Sequence, residues 1–154
     1  MSVEIERKFL VGRLPSDGER GTGQRLRQGY VAEDGDVEVR VRITDTAAFL
    51  TVKAGRVLAR TEVETEISID DAEALWAHTE DRRIEKLRYR IPVEGFVAEL
   101  DAYQGSLDGL LTVEVEFPTV DAADAFRPPV WFGREVTADE RWTNAALARH
   151  GRPG

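Results

Sequence analysis

Cysteine is absent from the 154 residues, methionine occurs once and histidine twice. The lack of cysteine excludes disulfides, thiolate metal centres and cysteine nucleophiles. His78 and His150 are too few for a histidine-built metal site, so any metal must be held by oxygens, which favours magnesium, manganese or calcium. Long apolar runs are also missing. No stretch approaches membrane length, and the opening MSVEIERKF carries charge where a secretion signal needs an apolar segment, so a cytoplasmic protein away from membranes is expected. Basic residues are outnumbered, with 21 Lys and Arg against 29 Asp and Glu and a net charge of −8. That balance argues against nucleic acid as a partner, because such binding rests on phosphate neutralisation. No low-complexity run, heptad series or internal repeat points to a tail, coiled coil or solenoid.

What remains is 42% hydrophobic and 32% charged, a globular composition of a length that suits one domain over residues 1–154. Period-two alternation dominates and predicts a mainly β (α+β) chain with an antiparallel sheet. Eight strands are expected: Val3 to Leu10, Gln24 to Ala32, Val37 to Thr44, Ala48 to Ala54, Arg60 to Ile69, Arg83 to Val93, Gly95 to Tyr103 and Leu111 to Phe117. Eight runs in so short a chain suggest a closed barrel, with GRLPSDGERGTG as a loop between the first two strands. Three helices are expected, capped by Asp70 or Asp71, by Asp121, and by Thr137 or Asp139, the last running about three turns to Gly151. Trp76, Trp131 and Trp142 are expected to pack as core or lid aromatics. Ser68 and Ser106 lack a nearby base and are expected in structural roles.

Each strand carries a charged row on one face. VEIERKF aligns Glu4, Glu6 and Lys8 opposite Val3, Ile5 and Phe9. The other rows are Glu38, Arg40 and Arg42; Lys53 with Thr51; Arg60, Glu62, Glu64 and Glu66; Lys86, Arg88 and Arg90; Glu99 and Asp101; and Glu114 and Glu116. Gln28 and Tyr30 share the face opposite Arg25 and Arg27. One reading is a set of solvated faces. Yet within a row the charges tend to have one sign, and like charges along or across strands are destabilising. The alternative is relief by ligands: acidic rows holding divalent cations through oxygens, and basic rows holding a polyanion. A metal-bound polyphosphate satisfies both, provided the charged faces converge inside a closed barrel.

These motifs together, Glu4-x-Glu6-x-Lys8, VRVR ending at Arg42, LTVK ending at Lys53, ETEI, IEKLRY, AELDAY, VEVEF and WFGREVTADERWTNAALA, resemble the CYTH family, the triphosphate tunnel metalloenzymes, and especially its short bacterial members. The likeness runs from Val3 to about Arg149. It implies an eight-stranded antiparallel β tunnel with a few flanking helices, binding a triphosphate with Mg2+ or Mn2+, and a C-terminal helix from Asp139 to His150 that plugs one mouth. By position it implies Glu4, Glu6, Glu114 and Glu116 as metal ligands. Lys8, Arg40, Arg42, Lys53, Lys86 and Arg88 become phosphate contacts, with Arg134 reaching the substrate. Glu62, Glu64 and Asp101 join Glu4, Glu6 and Lys8 as catalytic positions, their split between metal binding and water orientation left open. Hydrolysis of inorganic triphosphate is the leading expectation, because few elements are left over for a base-recognition pocket. Class IV adenylate cyclase, thiamine triphosphatase and a non-catalytic polyphosphate or nucleotide binder are the alternatives. The partner is a small triphosphate, and the protein is expected as a monomer or homodimer.

Overall fold

The computed structural model describes residues 2–55 and 59–154. Its strands are β1 (Ser2–Leu10), β2 (Gln24–Asp34), β3 (Val37–Ile43), β4 (Ala48–Ala54), β5 (Ala59–Ile67), β6 (Arg83–Val93), β7 (Phe96–Tyr103) and β8 (Leu111–Glu116). They close into a barrel in the order β1-β5-β4-β3-β2-β6-β7-β8, with every neighbouring pair antiparallel. The alternation in the sequence therefore located all eight strands. β2 runs on to Asp34, past a register shift between Tyr30 and Ala32 that the alternation alone does not reveal.

The helices depart further from expectation. A one-turn helix, α1 (Asp17–Arg20), lies in the segment read as loop, its N-terminus capped by Ser16. α2 (Ile69–Trp76) is capped by Ser68, whose hydroxyl accepts from the Asp71 N–H, so Ile69 opens the helix instead of ending β5. α3 (Val120–Ala125) is capped by Thr119, not Asp121. In each case the hydroxyl sits three residues before the amide it caps, a geometry that a nearby aspartate within the first turn cannot reproduce. The expected three-turn C-terminal helix is two shorter pieces: a 3-10 turn at Glu140–Trp142, capped by Asp139, and α4 (Asn144–His150), capped by Thr143. Thr143 is extended, with φ −65° and ψ 152°, and this breaks the helix.

The apolar rows of the strands face outward and the charged rows inward, so the hydrophobic core lies outside the barrel. Ile5, Phe9, Leu100, Val113 and Val115 on β1, β7 and β8, with Phe117 just after β8, pack beneath Ala123, Phe126 and Phe132 from α3 and the segment after it. Val41, Ile43 and Ala48 on β3 and β4 are covered by Ala72 of α2. Arg7 fastens the covering segment: its guanidinium donates to the carbonyls of Ala123 and Phe126 at 2.8 and 3.0 Å and pairs with Glu135 at 2.7 Å. The chain then returns as a strap along β1. The Gly133 N–H donates to the Leu10 carbonyl at 2.7 Å and the Val136 N–H to the Lys8 carbonyl at 2.8 Å. A Cβ at residue 133 would sit 2.7 Å from the Leu10 oxygen, so only glycine lets the strap lie this close. Beyond it, Trp142 and Leu147 bury themselves with Tyr30, Ile84 and Tyr103 at one end of the barrel. Among the described residues no helix is long and apolar enough to cross a membrane.

Candidate active site

Inside the barrel lies a cavity of about 580 Å3 whose walls differ in charge. One wall is acidic. β1 contributes Glu4 and Glu6, β5 contributes Glu62 and Glu64, and β8 contributes Glu114 and Glu116, all lining the cavity. The antiparallel register sets Glu6 directly opposite Glu116 and Lys8 opposite Glu114. The other wall is basic, with Arg40 and Arg42 from β3 and Arg88 from β6. Lys53 reaches from β4 into the acidic wall, 3.0 Å from Glu4 and 3.7 Å from Glu62.

Where a carboxylate has a cation, its proton affinity falls. Burial pushes Glu4 up, but the adjacent Lys53 and a hydrogen bond with Glu62 together outweigh it and leave the carboxyl below its usual range. Burial likewise opposes the charge on Glu114, yet Lys8, 3.4 Å away, and Arg88 hold it far down. Elsewhere on this wall proton affinity rises. Burial and then the charges of Glu114 and Glu4 put Glu6 well above the ordinary carboxylate range. Burial, followed by a hydrogen bond shared with Glu4, lifts Glu62 to about 7. Burial and the charges of Glu4 and Glu99 raise Glu116. Among the described residues the acidic wall thus carries more carboxylates than cations. Among the described residues no three acidic side chains converge into a ready-made cation cage.

The basic wall shows the opposite shortage. Arg40 is 5% exposed, yet its Nε has no hydrogen-bond partner and, among the described residues, it makes no ion pair. Arg42 donates to the neutral Gln28 Oε1 at 2.9 Å. Burial, reinforced by the charges of Arg40 and Arg88, draws its guanidinium down to about 9. A buried guanidinium and a half-buried one beside it, neither in an ion pair among the described residues, are costly unless an anion completes them.

The structure does not bring every expected residue into the cavity. Lys86 and Asp101 are both wholly buried and sit within the wall, paired at 2.7 Å. The same Asp101 takes a two-point bond from Arg88, Nε to Oδ1 at 2.8 Å and Nη2 to Oδ2 at 2.9 Å. Burial works against its charge, and Arg88 and Lys86 nonetheless hold the carboxyl at about 2. Lys86 and Asp101 are therefore the frame that aims Arg88. Arg134 is exposed and stacks over the Trp142 ring at 6.0 Å, outside the cavity lining. Conversely, Glu38, Glu99, Tyr30 and the turn from Asp139 to Asn144 line the cavity without having been singled out as site residues. Glu38 and Glu99 share rows with Arg40 and Asp101, so the alternation already carried their signal. Thr51, fully buried, donates to Glu64 Oε1 at 2.8 Å, and nothing in its neutral side chain announces that task.

The CYTH domain model matches residues 2–127. An inorganic triphosphatase of Nitrosomonas europaea is 49% identical over 149 residues, covering 95% of this chain and 97% of that protein. The chain belongs to the CYTH family. A second relative, an inorganic triphosphatase of Acetivibrio thermocellus, is 39% identical over 154 residues, covering 97% of this chain and 96% of its own length. The crystal structure of an inorganic triphosphatase superposes with a TM-score of 0.72 at 46% identity, covering 97% of this chain and 99% of that one. The CYTH membership and the closed barrel thus agree, and both run over nearly the whole chain.

Proposed function

We propose that this CYTH protein hydrolyses inorganic triphosphate to pyrophosphate and phosphate, assisted by a divalent cation, Mg2+ or Mn2+. The observation that carries this reading is Arg40, buried in the tunnel wall, with Arg42 half-buried beside it, neither making an ion pair with a carboxylate among the described residues. An elongated polyanion lying along the basic wall supplies the missing charge. The named relatives act on that anion. A second support is the crowding of Glu6 against Glu116 across β1 and β8, which marks a place for positive charge. The donors are hard oxygens, as Mg2+ and Mn2+ require, and such ions commonly take one or two carboxylates and complete their shell with phosphate oxygens and water. The residues therefore fit the ion.

In this reading Glu4, Glu6 and Glu116, with Glu114, hold the cation against the phosphate chain. When bound, it withdraws charge from the phosphate oxygens and acidifies nearby water. Arg40, Arg42 and Arg88 donate along the chain from the basic wall, and Lys8 and Lys53 from the acidic side. They are already aimed before substrate arrives, so charge developing on the leaving pyrophosphate meets fixed donors. Glu62, with a proton affinity near neutrality, is suited to take a proton from the attacking water. Glu64, oriented by Thr51, flanks it. Lys86 and Asp101 serve by holding Arg88, and Arg134 by bracing Trp142. The whole chain from residue 1 to 154 acts as one domain, in the cytoplasm, as a monomer or homodimer.

Incubating the purified protein with tripolyphosphate, ATP or thiamine triphosphate under magnesium or manganese tests this, with phosphate, pyrophosphate and cyclic AMP followed. Tripolyphosphate should be consumed fastest. Cyclic AMP as the main product from ATP, or preference for thiamine triphosphate, overturns the assignment. Tight tripolyphosphate binding with no turnover under either metal makes the protein a binder.

A further inference from the structure

Lys8 is held at every polar atom it has, by the strap and by Glu114 of the acidic wall. Its N–H donates to the Thr137 hydroxyl at 3.0 Å and its carbonyl accepts from the Val136 N–H at 2.8 Å. Its ammonium donates to the backbone carbonyl of Trp142 at 2.7 Å and lies 3.4 Å from Glu114. A lysine ammonium has three N–H donors. With one on Trp142 and one turned to Glu114, the third is left for the cavity that Lys8 lines.

Trp142 sits in a turn that is itself secured from several sides. Asp139 caps the turn, and Trp142 is buried, 4% exposed, against Tyr30 and Tyr103. The Tyr103 hydroxyl donates to Asn144 Oδ1 at 2.5 Å at the start of α4. At the far end of α4, Arg149 pairs with Glu33 on β2 across the tunnel end, and both line the cavity. Anything that loosens α4 therefore loosens the carbonyl that holds Lys8.

We propose that the C-terminal strap positions Lys8 for the substrate through the Trp142 carbonyl, so that closing this tunnel end and gripping the phosphate chain are one linked equilibrium. The inference rests on reading Lys8 as a phosphate contact. Linkage makes it reciprocal: a strap that favours the gripping rotamer of Lys8 is in turn held shut by bound triphosphate. Trp142 is a positioning residue, because it acts through Lys8 and meets no reacting atom.

The test is a double-mutant cycle on the full chain, reading KM and kcat for tripolyphosphate. Arg149→Ala loosens the exposed latch, and Leu147→Ala removes the buried side chain that seats α4. Each is measured alone and combined with Lys8→Met. Arg149→Ala should raise KM by about threefold and Leu147→Ala by about tenfold, with kcat changed by less than about twofold. In the Lys8→Met background neither should raise KM further, because the route runs through the missing ammonium. Equal KM increases with and without Lys8, or no increase from Arg149→Ala in the otherwise unaltered chain, overturns the positioning role while leaving the proposed function standing. If Lys8→Met by itself leaves KM unchanged, the reading of Lys8 as a phosphate contact falls, and the inference with it. Arg149 lies on the surface, so its variant keeps the test informative if Leu147→Ala fails to fold.

Discussion

The acidic and basic walls of the tunnel are built from the same period-two strands, yet they handle charge in opposite ways. On the acidic side β1, β5 and β8 gather carboxylates, with Glu6 directly opposite Glu116, and their crowding shows as protons held more tightly than usual on Glu6, Glu62 and Glu116. On the basic side each guanidinium meets a different fate. Arg88 is locked by Asp101 within a buried ionic frame, whereas Arg40 and Arg42, two strands away, make no ion pair among the described residues. A group paired inside the wall contributes to structure, and a group left unpaired in the cavity awaits a ligand. Removing one member of a paired set should therefore cost stability, and removing an unpaired one should cost activity.

The sharpest test of that division is Asp101→Asn, which leaves Lys86 and Arg88 buried without a counter-charge. It should destabilise the protein by about 3–5 kcal/mol in denaturant unfolding. An unchanged unfolding midpoint would show that Asp101 is not the structural half of the pair. Arg40→Ala tests the other half. Loss of one preorganised donor should lower kcat by about 100-fold, while thermal stability stays level or rises because an uncompensated buried charge is gone. A fall in melting temperature with full activity would reverse the assignment of roles.

Smaller effects are expected from the acidic wall. Glu6→Gln should reduce turnover by about tenfold or more by weakening a cation ligand, yet raise metal-free stability slightly by easing repulsion. Activity that matches the unaltered chain across a magnesium titration would remove Glu6 from the cation site. The smallest effect is a pH dependence of the metal-free protein. Glu62 has a folded-state value of about 7 against an ordinary 4.5, so the folded chain keeps a proton that the unfolded chain has already lost. Stability should then fall as pH rises from about 4.5 to 7, and Glu6 and Glu116, raised as well, act in the same direction. Melting in EDTA should come a few degrees lower at pH of about 8 than at about 5.5, and magnesium should recover more stability at the higher pH. Identical melting curves at both values, with and without magnesium, would mean that the acidic wall is not short of cations.

Alternation was enough to locate the eight strands and to sort their side chains onto two faces, because a strand turns alternate residues to opposite sides whatever surrounds it. It therefore marked Glu4, Glu6, Arg40, Arg42, Lys53 and Glu116 as sharing charged rows before any contact was known. Helix starts were less legible. Ser68, Thr119 and Thr143 cap where nearby aspartates looked equally able, and the choice depends on where the preceding segment releases the chain. The roles of Lys86, Asp101 and Arg134 were not legible, since a row shows which face a charge takes but not how far toward the axis it reaches.

The sequence by itself determined that each strand has a charged face and an apolar face, and the reliance on oxygen and nitrogen donors, since these follow from residue type and a two-residue period; closure of the barrel turned the charged faces inward. Only the tertiary structure decided which charges meet. Closure brings β1 against β8, pairing Lys8 with Glu114 across a long separation in the chain, while the register of the β6–β7 hairpin sets Arg88 against Asp101. It also brings the strap back, so that the carbonyl of Trp142 meets Lys8 from 134 residues away. The physical reason is that pairing energy depends on distance and burial, which are set by closure of the barrel and carry no local signature.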